Sequence, residues 1–328
     1  MTRTVVFDET GGPEVLRIVD LELAAPGPEE VLVRVEAIGL NRAEALLRGG
    51  GYYYPAELPG SRLGYEAAGS VEAVGSAVTG FAVGDRVLRA AGGHMSTEGV
   101  YAERIVVPAA TLLRLPAGTD AVTGAALWLA YSTAYGALVE QGNLRPGDTV
   151  LITAASSSVG VAAIQIANHL GAIPIAVTRT AAKREQLLKL GAAGVVVTEE
   201  EDLLERVRAV TGGRGAEIVF DSVAGPGLAT VAQAVAPGGL LIVYGWLDQQ
   251  PAPLPMNWGL RIIGYANLQT TGDPAVRRRV EHFLAAGLRA GTIAPVVDRV
   301  FDFEDIVEAH RYLESNAQVG KVLVTVRH

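Results

Sequence analysis

Apolar and polar positions alternate along this chain in two textures. From residue 1 to about 125 the apolar residues come in short valine-rich runs, broken every few positions by glycine or proline. The runs at 15–23, 31–40, 69–74, 85–88 and 101–107 predict short strands. From about 126 to 265, unbroken apolar runs alternate with segments whose apolar positions recur every three or four residues. That pattern predicts strands at 149–153, 173–178, 195–197, 217–220 and 240–244, with helices at 160–170, 181–190, 202–210 and 228–236 between them. Strands that each hand over to a helix form βαβ units, and strands without polar alternation are covered on both faces. The expectation is an α/β fold with a doubly wound parallel sheet. The remaining residues mix textures, with helices at 274–290 and 304–315 and a closing strand at 321–326. A split arrangement joins these parts most simply. A β-rich domain begins at 1–125 and is completed by 266–328, and a nucleotide-binding domain at 126–265 is inserted into it. The proline-rich stretch 251–255 reads as an extended connector before the return crossing.

Composition changes the chemistry more than the fold. The chain has 328 residues, ample for two domains at ~100–200 residues each, and no cysteine. Disulfides, thiolate zinc sites, cysteine nucleophiles and dithiol redox pairs are therefore excluded. A hydrophobic fraction of 49% with 19% charged residues excludes a disordered chain. The net charge of −8 offers no basic footprint for nucleic acid. No apolar run near residue 1 is long enough for a signal peptide. The longest stretch free of Asp, Glu, Lys and Arg, residues 149–178, contains three serines, Gln165, Asn168 and His169, which suits strand, turn and helix better than a membrane span. A cytoplasmic protein without nucleic-acid or membrane partners is expected.

The first turn of the α/β segment carries the most specific chemistry. Ala154-Ala155-Ser156-Ser157-Ser158-Val159-Gly160 follows the strand at 149–153 and opens a helix. A Rossmann fold places its glycine-rich phosphate loop there. Against G-x-G-x-x-G the key positions are Ala155, Ser157 and Gly160, so only the last glycine is kept. Small residues still let backbone approach a pyrophosphate at a helix N-terminus, and Ser156, Ser157 and Ser158 add hydroxyl donors. The same residues also suit an ordinary tight strand–helix turn. An NAD site would place a carboxylate at the end of the next strand. Here Thr178-Arg179-Thr180-Ala181-Ala182-Lys183 precedes the first acidic residue, Glu185. Arg179 and Lys183 suit a 2′-phosphate, which favours NADPH over NADH. A solvated helix start is the plainer account, although cations oppose the dipole at a helix N-terminus.

These features resemble the medium-chain dehydrogenase/reductase superfamily, and within it the zinc-free quinone oxidoreductases related to zeta-crystallin. The resemblance covers essentially the whole chain. It rests on Gly39-Leu40-Asn41-Arg42-Ala43-Glu44, Gly64-Tyr65-Glu66-Ala67-Ala68-Gly69, Val83-Gly84-Asp85-Arg86-Val87 and Tyr101-Ala102-Glu103, and continues through 154–160, 234–239 and Gln318-Val319-Gly320-Lys321. It implies a GroES-like β-rich catalytic domain with an inserted Rossmann cofactor domain, and NADPH in the cleft between them. Zinc-dependent members carry Cys where this chain has Asn41, and Gly-His-Glu where it has Gly64-Tyr65-Glu66. Neither an amide nor a phenol is a usual zinc ligand, the structural zinc lobe has no counterpart, and the histidines show no ligand spacing.

Asn41 has Glu44 three residues on, which is a helix capping box, and the resemblance places Asn41 near the nicotinamide. Tyr52, Tyr53 and Tyr54 follow Gly49-Gly50-Gly51 on a loop; three consecutive tyrosines cannot all face a core, and Tyr52 matches the family position whose phenol can bond a substrate carbonyl. On the cofactor side, the resemblance places Thr133 near the carboxamide, although a mid-helix threonine can also bond its own backbone. Ser222 and Val223 end the fourth strand of the α/β segment, and Tyr244 and Gly245 end the fifth. The resemblance sets Leu268 against the nicotinamide and Lys321 near the cofactor. Leu46 stands where relatives often carry a second tyrosine, so a more apolar pocket is expected. No general acid stands out, and water is expected to supply the final proton.

Without zinc the substrate must already be electron-poor. The expected function is NADPH-dependent reduction of quinones or α,β-unsaturated carbonyl compounds. The alternatives are one-electron quinone reduction, or a catalytically weak cofactor-binding or structural protein of the same fold. A homodimer is expected, with 259–264 as an edge strand that needs cover.

Overall fold

In the computed structural model, which describes residues 1–90 and 92–328, the valine-rich runs of the N-terminal part pair antiparallel. Strands β1 (Thr2–Val6) and β2 (Arg17–Leu21) form a ribbon. Strand β3 (Glu30–Gly39) alternates half-buried and buried residues until Ala37, as period-two burial requires, and is buried through its last residues. Helix α1 (Arg42–Arg48) leaves its end, followed by β4 (Glu66–Val74), β5 (Arg86–Arg89), the single turn α2 (Met95–Glu98), β6 (Arg104–Pro108) and β7 (Leu112–Arg114).

Helix α3 (Ala121–Tyr135) runs into a π turn at Gly136–Gln141. By length and composition Ala121–Gln141 could cross a membrane, yet 78% of its apolar window is buried, as in a core helix. Six parallel strands follow: β8 (Thr149–Ile152), α4 (Ser158–Leu170), β9 (Ile173–Thr178), α5 (Arg184–Lys189), β10 (Gly194–Val197), α6 (Leu203–Thr211), β11 (Ala216–Asp221), α7 (Leu228–Ala232), β12 (Val235–Val243) and β13 (Arg261–Gly264). Their order, β10-β9-β8-β11-β12-β13, reverses direction between β8 and β11, the point where doubly wound sheets bind ligands. Strands β8 and β10 are buried throughout, which is why their sequences lack polar alternation.

Helices α8 (Leu268–Thr271) and α9 (Pro274–Ala290) come next, then β14 (Val297–Asp302), α10 (Ile306–Glu314) and β15 (Lys321–Thr325). Strand β15 pairs antiparallel with β3 and completes a sheet ordered β14-β15-β3-β4-β5-β7, with β6 also on β3. Phe303, Ile306, Leu313, Val322 and Val324 share one core with Val5, Val33 and Ile38.

The chain divides into two units, Met1–Leu129 with Val297–His328, and Ala130–Val296. The return crossing thus lies at 296/297 rather than at the expected 265/266. Residues 266–296 stay with the parallel sheet because Gln165 on α4 both donates to and accepts from Ala294, at 2.9 Å each, and Arg279 pairs with Glu140 at 2.6 Å. Three expected helices are shorter, the one expected at 304–315 being α10 at Ile306–Glu314 after a 3-10 turn. Residues 181–183 form a 3-10 turn before α5, and α7 stops at Ala232 because β12 already begins at Val235. Strands β1 and β14 were not anticipated by the pattern.

Candidate functional site

The parallel-sheet unit places the turn expected to bind phosphate at the switch point. Ala154 takes a left-handed φ of 44°, a conformation that costs an alanine ~1 kcal/mol and that turns the chain sharply from β8 toward α4. Ser157 caps α4, its Oγ accepting from the Gly160 amide at 3.1 Å. Gly160 is fixed by close packing, since a Cβ there would lie 2.6 Å from the Ala155 backbone. Ala155 N donates to Val177 O on β9. The amides of Ser158 and Val159, first in the helix, have no intrahelical acceptor and remain for an anion.

The second-strand cations reach this turn unequally. Lys183 extends its ammonium to Ser156 Oγ, 2.9 Å away. Thr178 is buried at the end of β9, and Arg179 just beyond it is exposed. At the next strand ends, Asp221 is buried and accepts from Thr153 Oγ1 and the Ala224 amide at 2.7 Å each, while burial raises its carboxyl pKa. The Ser222 amide donates to the same Thr153 hydroxyl. Ser222 Oγ and Tyr244 Oη are buried beside each other, with Ser157 also near Tyr244, yet neither makes a hydrogen bond of good geometry, which leaves both open to a ligand or solvent partner. Tyr244 stacks on Phe220 at 4.0 Å, and burial pushes its phenol up. Gly245 lets the β11 and β12 ends approach, a Cβ there meeting Ser222 O at 3.0 Å. Val223 is half-buried, and its carbonyl accepts from Asp248.

Thr133 is buried on α3, one residue after Ser132, whose hydroxyl accepts from Asn267 Nδ2 at 3.1 Å. Leu268 follows Asn267 with its side chain 60% exposed. The fold therefore brings the Thr133 and Leu268 backbones together through a pair that sequence reading missed. Small residues, an open helix N-terminus, cations on the second strand and orphaned polar atoms on the fourth and fifth strands fit a dinucleotide phosphate.

The antiparallel unit gathers a buried charge network around Asn41. Lys321, at the start of β15, donates to Asn41 Oδ1 and to Glu66 Oε2 at 2.6 Å each, and both ionic side chains are 1% exposed. Glu66 Oε1 accepts from the Leu129 amide. Gly39 makes the space: a Cβ there would lie 2.2 Å from Ala125 O and 2.8 Å from both Glu66 Oε2 and Lys321 Cε. Glu44 closes the capping box by accepting from the Asn41 amide N–H at 2.6 Å, and its other oxygen accepts from Asn41 Nδ2 and the Tyr65 amide at 3.2 Å each. Burial raises the Glu44 pKa to about 7, against the opposing pull of Lys321. Among the described residues no group of His, Cys, Asp and Glu is placed to hold a metal.

The three tyrosine rings touch one another, at 4.5, 4.8 and 4.7 Å, but differ in exposure and partners. Tyr53 is 72% exposed, whereas Tyr52 and Tyr54 both bond the Tyr65 hydroxyl, at 3.1 and 2.7 Å. The Met95 amide donates to Tyr54, whose ring packs on His94 at 3.9 Å. Burial raises the Tyr52 and Tyr65 pKa values, so both phenols stay protonated as donors at neutral pH. Tyr65 and Glu44 thus link Tyr52 to Asn41. Sequence reading gave Tyr65 no role beyond its place in the Gly64–Gly69 motif, where zinc-dependent relatives carry a ligand, and left open which of Tyr52, Tyr53 and Tyr54 faces the site.

Residues 27–117 match the family described as the alcohol dehydrogenase GroES-like domain, and 158–275 match the zinc-binding dehydrogenase family. A quinone oxidoreductase of Pseudomonas aeruginosa is 40% identical over 245 residues, 75% of this chain and 74% of that one. A 2-haloacrylate reductase of a Burkholderia species is 29% identical, over 99% of both. The crystal structure of Escherichia coli quinone oxidoreductase complexed with NADPH superposes with a TM-score of 0.90 at 31% identity, covering 98% of this chain and 99% of that one.

Proposed function

This chain belongs to the medium-chain dehydrogenase/reductase superfamily, among its quinone oxidoreductases, and on that premise we propose that it is a cytoplasmic, NADPH-dependent, zinc-independent reductase of quinones or α,β-unsaturated carbonyl compounds. The observation that carries the reading is the docking of Lys183 on Ser156 of the phosphate turn, with Arg179 close by in sequence. A carboxylate in that place would hold a free ribose hydroxyl; two cations hold a 2′-phosphate.

In this reading the Ser158 and Val159 amides take the pyrophosphate at the α4 N-terminus. Arg179 and Lys183 pair with the 2′-phosphate, and the Ser222 and Tyr244 hydroxyls gain a bond of better geometry than they make with each other. NADPH, when bound, supplies a hydride from nicotinamide C4. Tyr52 donates its phenolic proton as a hydrogen bond to the substrate carbonyl oxygen, where negative charge grows as hydride reaches the ring or the β-carbon. The buried carboxyl in this network, Glu44, meets the Tyr65 amide rather than the Tyr52 phenol, and we assign the final proton to water. Orientation and this single donor supply the catalysis, which suffices for acceptors that are already electron-poor.

The test is NADPH oxidation against a panel of quinones, enones and simple aldehydes, with and without EDTA. Quinone or enone turnover indifferent to chelator is expected; aldehyde-only or chelator-sensitive turnover defeats the reading. Arg179→Ala should weaken NADPH ~10-fold or more and leave NADH unchanged, as loss of a charge-assisted bond predicts. Equal affinity of wild type for both nucleotides would refute the cofactor assignment.

We also propose that the protein is a homodimer joined through the free edge of β13. That edge strand carries exposed Ile262, and Leu254, Met256 and Trp258 stand exposed in the segment leading to it. An edge with that much apolar surface needs cover, and a second copy offers matching unpaired backbone.

A further inference from the structure

We propose that three phenols of the antiparallel unit form a one-way chain of hydrogen bonds, Tyr54 to Tyr65 to Tyr52. Tyr54 and Tyr65 are then positioning residues that keep the Tyr52 proton free for a substrate oxygen. The geometry lies within that unit alone; the use of the proton rests on the reductase reading above.

A phenol has one proton to donate and accepts through the same oxygen. Tyr65 Oη stands between two others, with Tyr54 Oη at 2.7 Å and Tyr52 Oη at 3.1 Å. The single Tyr65 proton serves only one of these bonds, so at least one neighbour donates to Tyr65. The Met95 amide decides which. It donates to Tyr54 Oη at 3.1 Å, so among the described residues the Tyr54 proton has one acceptor within reach, Tyr65 Oη. The reverse order would leave the Tyr54 proton facing an N–H, and donation from both neighbours would strand the Tyr65 proton. Each of these two oxygens already has two polar neighbours. Tyr52 Oη has only Tyr65, and its side chain is half-buried, so it is the hydroxyl with room for a further partner. Donation from Tyr54 to Tyr65 and from Tyr65 to Tyr52 spends every proton except that one.

Other contacts hold the chain in place. The Tyr65 amide donates to Glu44 Oε1 at 3.2 Å, the Tyr54 ring packs on His94, and the Tyr52 ring packs on Tyr53 and Tyr54 at 4.5 and 4.8 Å. A hydroxyl that accepts a hydrogen bond donates a stronger one, so this order also sharpens Tyr52 as a donor. Neither Tyr54 nor Tyr65 needs to touch the substrate.

Two measurements separate the order from its use. In ligand-free protein labelled at tyrosine Cζ, in equal parts of H2O and D2O, a slowly exchanging hydroxyl splits its Cζ signal. Split signals are expected for Tyr54 and Tyr65, assigned by their loss in Tyr54→Phe and Tyr65→Phe, and one averaged signal for Tyr52. Any other pattern over these three residues overturns the order. With saturating NADPH and quinone, Tyr65→Phe should lower kcat roughly three- to tenfold, a neutral hydrogen bond's worth. Tyr54→Phe should lower it by less, and it replaces Tyr65→Phe should that variant fail to fold. In a Tyr52→Phe background neither change should have an effect, because both act through the Tyr52 hydroxyl. An equal loss in the two backgrounds would make the contribution purely structural and overturn the positioning role, as would an unchanged kcat in Tyr65→Phe. A wild type with the expected exchange pattern that reduces neither quinones nor enones would instead defeat the reductase reading, and the use of the Tyr52 proton with it.

Discussion

Single residues in the antiparallel unit carry effects that their identity alone does not announce. Gly39 has no unusual backbone angle, yet Gly39→Ala would drive a methyl into Ala125 O and the Lys321 stem. Overpacking of this kind costs ~1–3 kcal/mol, and a denaturant midpoint should fall accordingly with an unchanged m-value. His310 gives a pH signature. It is fully buried, neither ring nitrogen has a partner among the described residues, and burial, with Arg48 and Arg42 nearby, lowers its pKa to about 3. In the unfolded chain it protonates near 6.5, so below that pH the unfolded state binds the extra proton. Its contribution is full above about pH 6.5 and is lost as the pH falls toward 3, at up to ~1.4 kcal/mol per pH unit. His310→Leu should flatten that part of the stability profile; an unchanged slope would show that His310 is not buried neutral. Neither behaviour was legible in the sequence, because each depends on what is packed opposite the residue.

At the scale of elements, the parallel strands and most of their helices follow from periodicity and punctuation. Helix α6 illustrates why. Asp202 accepts from the Glu205 amide at 2.8 Å, and Gly212 ends the helix at φ 60°, so both boundaries are written locally. Asp202→Ala should cost ~1 kcal/mol in a thermal or denaturant melt. The elements missed or misjudged lack such local marks. Strand β12 begins at Val235 and runs through Pro237 and Gly238, a stretch that reads as a helix end and a turn. It is a strand because β11 lies beside it and supplies the pairing. Helix α9 was found residue for residue, and only its allegiance was wrong, since Gln165 and Glu140 bind that segment to the parallel unit.

At the scale of the whole molecule, the proposed dimer is the open question that one experiment resolves. Ile262→Asp on the exposed edge strand would put a charge into an apolar contact. Size-exclusion chromatography with light scattering should then give twice 34.2 kDa for wild type and one chain mass for the variant. A monomeric wild type would defeat the proposal.

The sequence by itself determined the class of each unit, the small-residue turn between β8 and α4, the cations that follow β9 and the loss of thiolate chemistry. These are properties of local periodicity, of chain order and of which residue types are present. Only the tertiary structure decided that Lys321, 280 residues from Asn41, binds its amide, that Tyr65 gathers Tyr52 and Tyr54, and that Tyr53 faces outward. Those are properties of contact between distant segments. A lysine opening a strand looks solvated until the glycine and the carboxylate that bury it are brought alongside.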